Sequence, residues 1–138
     1  VIDDVAHTMQ VTAAFEGLTG TTTAAHIHGP TAEAGTGTAG AATTVPSFAG
    51  FPLGVQGGVY NATLELTATS TYSASFVTAN GGTAAGAEAA LLQALAEGKA
   101  YFNIHTSMYG GGEVRGFLTA SLVPAELATW GQTKALYR

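Results

Sequence analysis

Three of the four histidines in this chain of 138 residues have the type and spacing of metal ligands. His26 and His28 are two residues apart, on either side of Ile27. Because successive side chains of an extended strand point to opposite faces, both imidazoles would project together while Ile27 turns into the core. His105 lies in a second short apolar run, and on a neighbouring strand it would supply a third nitrogen. We therefore predict a metal site formed by His26, His28 and His105.

The chemistry of this site would depend on imidazole nitrogens, because the chain contains no cysteine thiolate. Neutral imidazole suits copper, zinc and nickel, and three such ligands leave a fourth position open for water. We expect copper as the cofactor, with zinc as the alternative. Histidines beside a turn also serve as hydrogen-bonded structural groups, and that interpretation stays open.

Three further residues are candidate additional ligands. His7 would share a strand face with Met9, whose thioether is a soft ligand for copper. Met108 follows His105 by three residues, so a turn could bring its sulfur near the site. Ordinary packing for His7 and Met9, and a glycine-rich hairpin around Met108, are the alternative interpretations.

Four residues near His105 are candidates for additional ligands or for groups that hold the ligands in place. Glu113 and Arg115 would lie on one strand face, where they could pair with each other or support the histidines. Tyr101 and Asn103 would share the strand face of His105 and line the same pocket. A surface ion pair and simple strand packing are the corresponding alternatives.

Composition and charge exclude several classes of partner. The net charge is −5, from nine acidic and only four basic residues, so the clustered basic surface that binds nucleic acid or anionic lipid is not expected. No apolar run approaches the ~20 residues that span a bilayer. A cysteine-free, threonine-rich chain with little charge is typical of proteins outside the cell. No nucleophile elbow, phosphate loop or His-Glu-x-x-His helix occurs, so we expect no enzyme.

Mostly short strands must position these residues. Alternation of apolar and polar residues predicts strands over 5–15, 21–28, 59–67, 72–77, 100–106 and 113–122. Two prolines make 45–46 and 48–53 an edge segment or a packed loop, and strong helix formers predict one helix near 87–97. Short strands at regular spacing with one helix indicate an all-β, antiparallel β-sandwich. We expect one domain over 1–122 and a C-terminal tail or assembly arm over 123–138.

Three ordered blocks resemble a CHRD domain, a module named for chordin and widespread in bacterial secreted proteins. The blocks are Ala25-His26-Ile27-His28-Gly29-Pro30, Tyr101-Phe102-Asn103-Ile104-His105-Thr106 and Gly112-Glu113-Val114-Arg115-Gly116. The resemblance covers residues 5–122. It implies an immunoglobulin-like sandwich in a protein that is secreted or held at the bacterial cell surface.

The His-x-His element and the strand order are also similar to copper/zinc superoxide dismutase, a Greek-key β-sandwich. That resemblance implies His26, His28 and His105 as copper ligands, with Arg115 nearby. It is partial, because the chain shows no bridging histidine, no zinc subloop and no cysteine pair. A dismutase-like redox enzyme is therefore only the third hypothesis, after a secreted, non-enzymatic metal-binding protein and a structural subunit.

The C-terminal segment motivates the structural hypothesis. Residues 123–130 resemble the start of a bacterial PEP-CTERM sorting signal, which implies attachment at the cell surface. The Pro-Glu-Pro core of that signal is absent. A terminal segment that adds a strand to a neighbour's sheet edge would link subunits into a homo-oligomer or an extracellular filament.

Overall fold

Six strands in the computed structural model, which describes residues 1–119, form two antiparallel sheets of three strands each. The strands are β1 (Ile2–Asp3), β2 (Thr8–Phe15), β3 (Thr22–His28), β4 (Gly58–Glu65), β5 (Tyr101–Thr106) and β6 (Val114–Phe117). The first sheet has the order β1-β2-β4, and the second has the order β3-β5-β6. The predicted all-β antiparallel sandwich is confirmed.

Both sheets contribute side chains to one hydrophobic core. Met9 and Val11 of β2 and Tyr60 of β4 come from the first sheet, and Ile27 and Ile104 come from the second. Ile27 is only 1% exposed and is one of the largest fully buried side chains. The prediction that Ile27 is buried between two outward-facing histidines is confirmed.

Residues 48–53 form a packed loop, which was one of the two structures predicted for them. Phe48 and Phe51 are buried. The ring of Phe51 lies 5.4 Å from that of Tyr60 on β4 and 6.3 Å from that of Phe102 on β5. The loop therefore carries aromatic contacts between the two sheets.

The helix predicted near residues 87–97 is present as α2 (Ala84–Ala96), the longer of two helices in the described part of the chain. It begins before the predicted start because the Thr83 hydroxyl caps it, accepting a hydrogen bond from the Gly86 N–H. Leu91 is fully buried and anchors this helix in the core.

The strand predicted over residues 72–77 is wrong. A short helix, α1 (Ala74–Ala79), replaces it after a 3-10 turn at Thr69–Thr71. The hydroxyl of Ser73 accepts a hydrogen bond from the Phe76 N–H and so starts the helix. Serine favours this local capping over a sheet ladder, and the apparent alternation of apolar residues concealed it.

The first long strand begins at Thr8, three residues later than predicted. The carboxylate of Asp3 accepts hydrogen bonds from the N–H groups of Val5 and Ala6, which makes a turn that brings β1 back along β2. At the end of this turn His7 has a positive φ of 54°. Residues 120–138 lie outside the described residues, and with them the end of the last predicted strand, the predicted domain boundary and the predicted tail.

Candidate metal site

Three histidines lie together on the outer face of the second sheet, away from the core. His26 and His28 are on β3, and His105 is on β5, the antiparallel neighbour of β3. Ile27 and Ile104, which alternate with them, are 1% and 3% exposed on the core side. Strand alternation therefore places the core on one face of this sheet and the imidazoles on the other.

One nitrogen of each ring faces the other two rings at nearly equal distances. His26 Nδ1 is 3.2 Å from His28 Nε2 and 3.2 Å from His105 Nε2. The Nε2 atoms of His28 and His105 are 3.3 Å apart. These three atoms form an almost equilateral triangle, and all of them can contact a single ion.

The other nitrogen of each ring faces a backbone carbonyl oxygen. Because a carbonyl oxygen only accepts hydrogen bonds, the nitrogen facing it carries the N–H. Each neutral ring then presents a lone pair to the centre of the cluster, as metal-binding histidines do. The three contacts are His26 Nε2 to Pro46 O at 2.8 Å, His28 Nδ1 to Ala39 O at 2.9 Å, and His105 Nδ1 to Gly110 O at 2.8 Å.

This arrangement fits a four-coordinate metal ion. Three lone pairs that converge without a cation between them repel one another, so a cation at the centre stabilises the cluster. An ion at about 2.0–2.1 Å from all three nitrogens would subtend N–metal–N angles of about 100–108°, close to the tetrahedral angle. The residues therefore suit a tetrahedral ion with its fourth position open.

Burial keeps two of the rings neutral. It lowers the pKa of His26 to about 4, although the hydrogen bond to the Pro46 carbonyl raises this pKa. The nearby His105 and His28 also lower it. Burial also lowers the pKa of His28, and His105 adds to this effect. Both rings therefore offer their lone pairs to a metal at neutral pH without first losing a proton.

Tyr101 stacks on His28, and Arg115 lies over the ring of Tyr101. The Tyr101 ring is stacked on the His28 ring, with centroids 5.0 Å apart and planes at 10°. The Tyr101 hydroxyl is bonded to the backbone of Ala39, whose carbonyl also holds His28. The guanidinium carbon of Arg115 lies 5.1 Å from the Tyr101 ring centroid, and its Nη1 donates to Gly37 O at 2.8 Å. Tyr101 and Arg115, two of the four residues predicted near His105, therefore lie beside the cluster.

Asn103 is the residue that contacts the cluster most directly. It pairs with His26 across the two strands and is only 3% exposed. Its Nδ2 donates to Gly111 O at 3.2 Å and lies 3.3 Å from His105 Nε2. Its Oδ1 is buried and has no hydrogen-bond partner among the described residues. Gly112 packs directly against the Asn103 amide. Its φ is +116°, and a Cβ at this position would overlap that amide.

Glu113 has a different role from the one predicted. Its carboxylate accepts hydrogen bonds from the N–H groups of Thr19 and Gly20 and from the Thr106 hydroxyl. Burial alone would raise its pKa, but these hydrogen bonds outweigh burial and lower the pKa. Within residues 1–119 Glu113 forms no ion pair with Arg115. It ties the turn before β3 to the second sheet.

The remaining predicted candidates lie elsewhere. His7 Nδ1 is 2.8 Å from a carboxylate oxygen of Glu88 on α2, so this fourth histidine contacts a helix and not the cluster. Met9 is a core residue, 4% exposed. Met108 is 64% exposed in the turn between β5 and β6.

Sequence reasoning missed the backbone part of the site. The carbonyls of Ala39, Pro46 and Gly110 orient the rings, and any residue type supplies a carbonyl. The prolines and the glycines at 110–112 did indicate turns. They did not indicate that those turns fold over the histidines.

In residues 1–119 no helix is both long and apolar enough to cross a membrane.

Comparison with known proteins identifies the family of this chain. Curated proteins gave no match, and no solved structure matched the chain. The CHRD domain family profile matches residues 1–118, a stretch that includes all three clustered histidines. This chain therefore belongs to the CHRD domain family.

Proposed function

We propose that this protein binds one transition-metal ion through His26, His28 and His105. The observation that carries the proposal is the triangle of ring nitrogens, with edges of 3.2 to 3.3 Å. The opposite nitrogen of every ring is already fixed by a backbone carbonyl. Ligands held in this way need little rearrangement on binding, which favours affinity.

The shape of the triangle favours a tetrahedral ion. Copper(II) prefers tetragonal geometry, in which two of three equatorial nitrogens lie opposite each other, about 4 Å apart. No edge of the observed triangle exceeds 3.3 Å. We therefore propose that the bound ion is zinc or copper(I). Copper remains a candidate only in its reduced form. Elemental analysis of the protein isolated from its source would identify the ion.

A competition titration tests the binding itself. Metal-free protein would be titrated with zinc, and separately with copper(I) under anaerobic conditions, against a chromophoric chelator. His105→Ala should weaken binding at least ~100-fold, since loss of even an outer-shell partner costs 10–100-fold. His7→Ala is the matched control, because it removes the histidine outside the cluster. An unchanged affinity in the His105→Ala protein would rule out the site.

We propose a binding protein rather than an enzyme. Among the described side chains outside the cluster, only Asn103 hydrogen-bonds a cluster nitrogen, and a carboxamide does not act as a general acid or base. A superoxide assay on the copper-loaded protein tests the redox alternative. Catalysis above that of the His105→Ala protein would support an enzyme.

The place of action in this proposal is outside the cell. Membership of the CHRD family supports it, as do the low charge and the absence of cysteine. Separating the secreted, surface and cytoplasmic fractions of the source organism and probing each for the protein tests it. Recovery of the protein only from cytoplasm would contradict it.

Assembly into a filament is the second proposal, and strand β4 favours it. Within the described part of the chain, β4 pairs only with β2 and forms a sheet edge of eight residues. That edge contains no proline or lysine, the residues that commonly block edge-to-edge pairing, and Val59 is 71% exposed on it. Electron microscopy of wild-type and Val59→Lys protein tests this, and monomers in both samples would count against it.

A further inference from the structure

Within residues 1–119, every hydrogen bond to the rings of the histidine cluster comes from a neutral group. The three rings are neutral ligands, and in residues 1–119 no carboxylate hydrogen-bonds any of them. The carboxylate of Glu113, close by in sequence, is engaged by Thr19, Gly20 and Thr106. A divalent ion bound here would keep its full charge uncompensated by protein, and a nearby anion would lower the electrostatic energy.

Arg115 adds positive charge to the same region. It pairs with Asn103 across β5 and β6, so its side chain leaves the same face of the sheet as the histidines. Its guanidinium lies over Tyr101, whose ring is stacked on His28. Within residues 1–119 it has no acidic partner, and its one hydrogen bond to a carbonyl leaves other N–H donors available.

Asn103 supplies a hydrogen-bond donor beside His105 Nε2, one of the three nitrogens of the cluster. One Nδ2 hydrogen is used by Gly111 O, and the other faces His105 Nε2 at 3.3 Å. A metal that takes the lone pair of His105 Nε2 removes this acceptor from the amide. Because Asn103 is 3% exposed, water cannot easily replace the lost partner. An acceptor atom bound at the fourth position would restore the hydrogen bond.

We infer that the metal-loaded cluster is an anion-binding site, in which a small anion takes the fourth position, accepts a hydrogen bond from Asn103 and is attracted by Arg115. The inference rests on the proposed metal-binding function and names the ligand class of the same site. A buried donor that lacks a partner and an arginine without an acid favour an anion over neutral water at that position.

Azide binding to the cobalt(II)-loaded protein tests the inference. Cobalt(II) replaces zinc in tetrahedral sites, and its visible absorption changes when the fourth ligand is exchanged. Azide should bind the wild-type protein. Asn103→Ala should weaken azide binding by about 10-fold, the effect of losing one charge-assisted hydrogen bond. Arg115→Gln should weaken it by about 3-fold, because it removes a positive charge that attracts the anion. Lys99→Gln is the matched control for net charge, because the Lys99 ammonium is paired with the Glu97 carboxylate, with an N–O distance of 2.7 Å, and forms no hydrogen bond with the histidine rings. Its azide affinity should equal that of the wild type.

The outcomes separate the two proposals. Cobalt binding without any azide response, or equal azide affinity in all four proteins, would overturn the anion site and leave metal binding intact. Failure of cobalt and zinc to bind the wild-type protein would overturn both. Arg115 is exposed, so Arg115→Gln tests the inference even if Asn103→Ala disturbs the packing beneath Gly112. Circular dichroism and the cobalt affinity of each variant report its folding.

Discussion

His28 Nε2 and His105 Nε2 are 3.3 Å apart, although 77 residues separate the two histidines along the chain. The antiparallel pairing of β3 with β5 imposes this contact. Both rings use their other nitrogen to donate to a carbonyl, so two lone pairs meet at the contact. Strand pairing alone therefore brings these candidate ligand nitrogens together.

The metal-free protein should lose stability as the pH falls from about 6.5 to about 4. Burial lowers the pKa of His26 to about 4 in the folded state, against 6.5 in the unfolded chain. Between these values the unfolded state binds a proton that the folded state does not, so stability is full above pH 6.5 and declines below it. The loss should be about 3 kcal/mol.

Thermal unfolding in the presence of a chelator, over a series of pH values, would measure this dependence. His26→Gln should flatten the decline, because its side chain does not titrate. His7→Gln should keep the decline, as a histidine outside the cluster. If the melting temperature of the wild-type protein varied with pH in the same way as that of His26→Gln, the pH dependence could not be assigned to His26.

Gly112→Ala should destabilise the protein and weaken metal binding together. The positive φ of +116° disfavours a side chain, and the new Cβ would overlap the Asn103 amide. We expect a loss of ~2–3 kcal/mol, as for other overpacked sites. Gly110→Ala is the control, because no atom lies within 4 Å of its Cβ position. Urea denaturation would compare the two, and equal stabilities would show that the Asn103 contact is unimportant.

Ile27→Val should lower stability without changing metal affinity. Ile27 is fully buried between the two histidines of β3 but faces the opposite side of the sheet. Loss of one buried methylene should cost about 1 kcal/mol, and Ile27→Ala about 4 kcal/mol. Denaturation and the zinc competition titration together measure both quantities. A loss of affinity in the Ile27→Val protein would show that core packing and ligand geometry are coupled.

Glu113→Gln should destabilise the fold while leaving metal affinity unchanged. The carboxylate accepts hydrogen bonds from Thr19, Gly20 and Thr106, and these lower its pKa against the effect of burial. A lowered pKa contributes stability above about pH 4.5, which is lost as the pH falls below that value. Glu16→Gln, at an exposed position, provides the comparison. Weaker zinc binding by the Glu113→Gln protein would show that Glu113 supports the metal site, as the sequence predicted.

Strand alternation predicted more of the site than of the connections. The spacing of His26 and His28 determined which face they share, and the apolar character of Ile27 determined which face is buried. Both inferences use the two-residue period of a strand, and the second also uses the apolar character of Ile27. That period could not reveal that Ser73 caps a helix, because a capping hydrogen bond depends on local geometry.

The supporting contacts were not predictable for a different reason. Pro46, Ala39 and Gly110 act through carbonyl oxygens, so their side chains carry no signal of the role. His7 had the same residue type as the ligands, yet a turn with positive φ directs it to Glu88. The residue type therefore identifies candidate ligands, but the path of the backbone determines which histidines lie close together.

The separation of the two faces of the second sheet has a consequence for how this protein can change. Core side chains such as Ile27 and Ile104 point away from the histidines of the proposed metal site. If the cluster binds an ion as proposed, substitutions among its side chains would alter ion preference without removing contacts from the hydrophobic core. A sheet of this kind is a suitable scaffold for evolving or engineering new coordination chemistry on an unchanged framework.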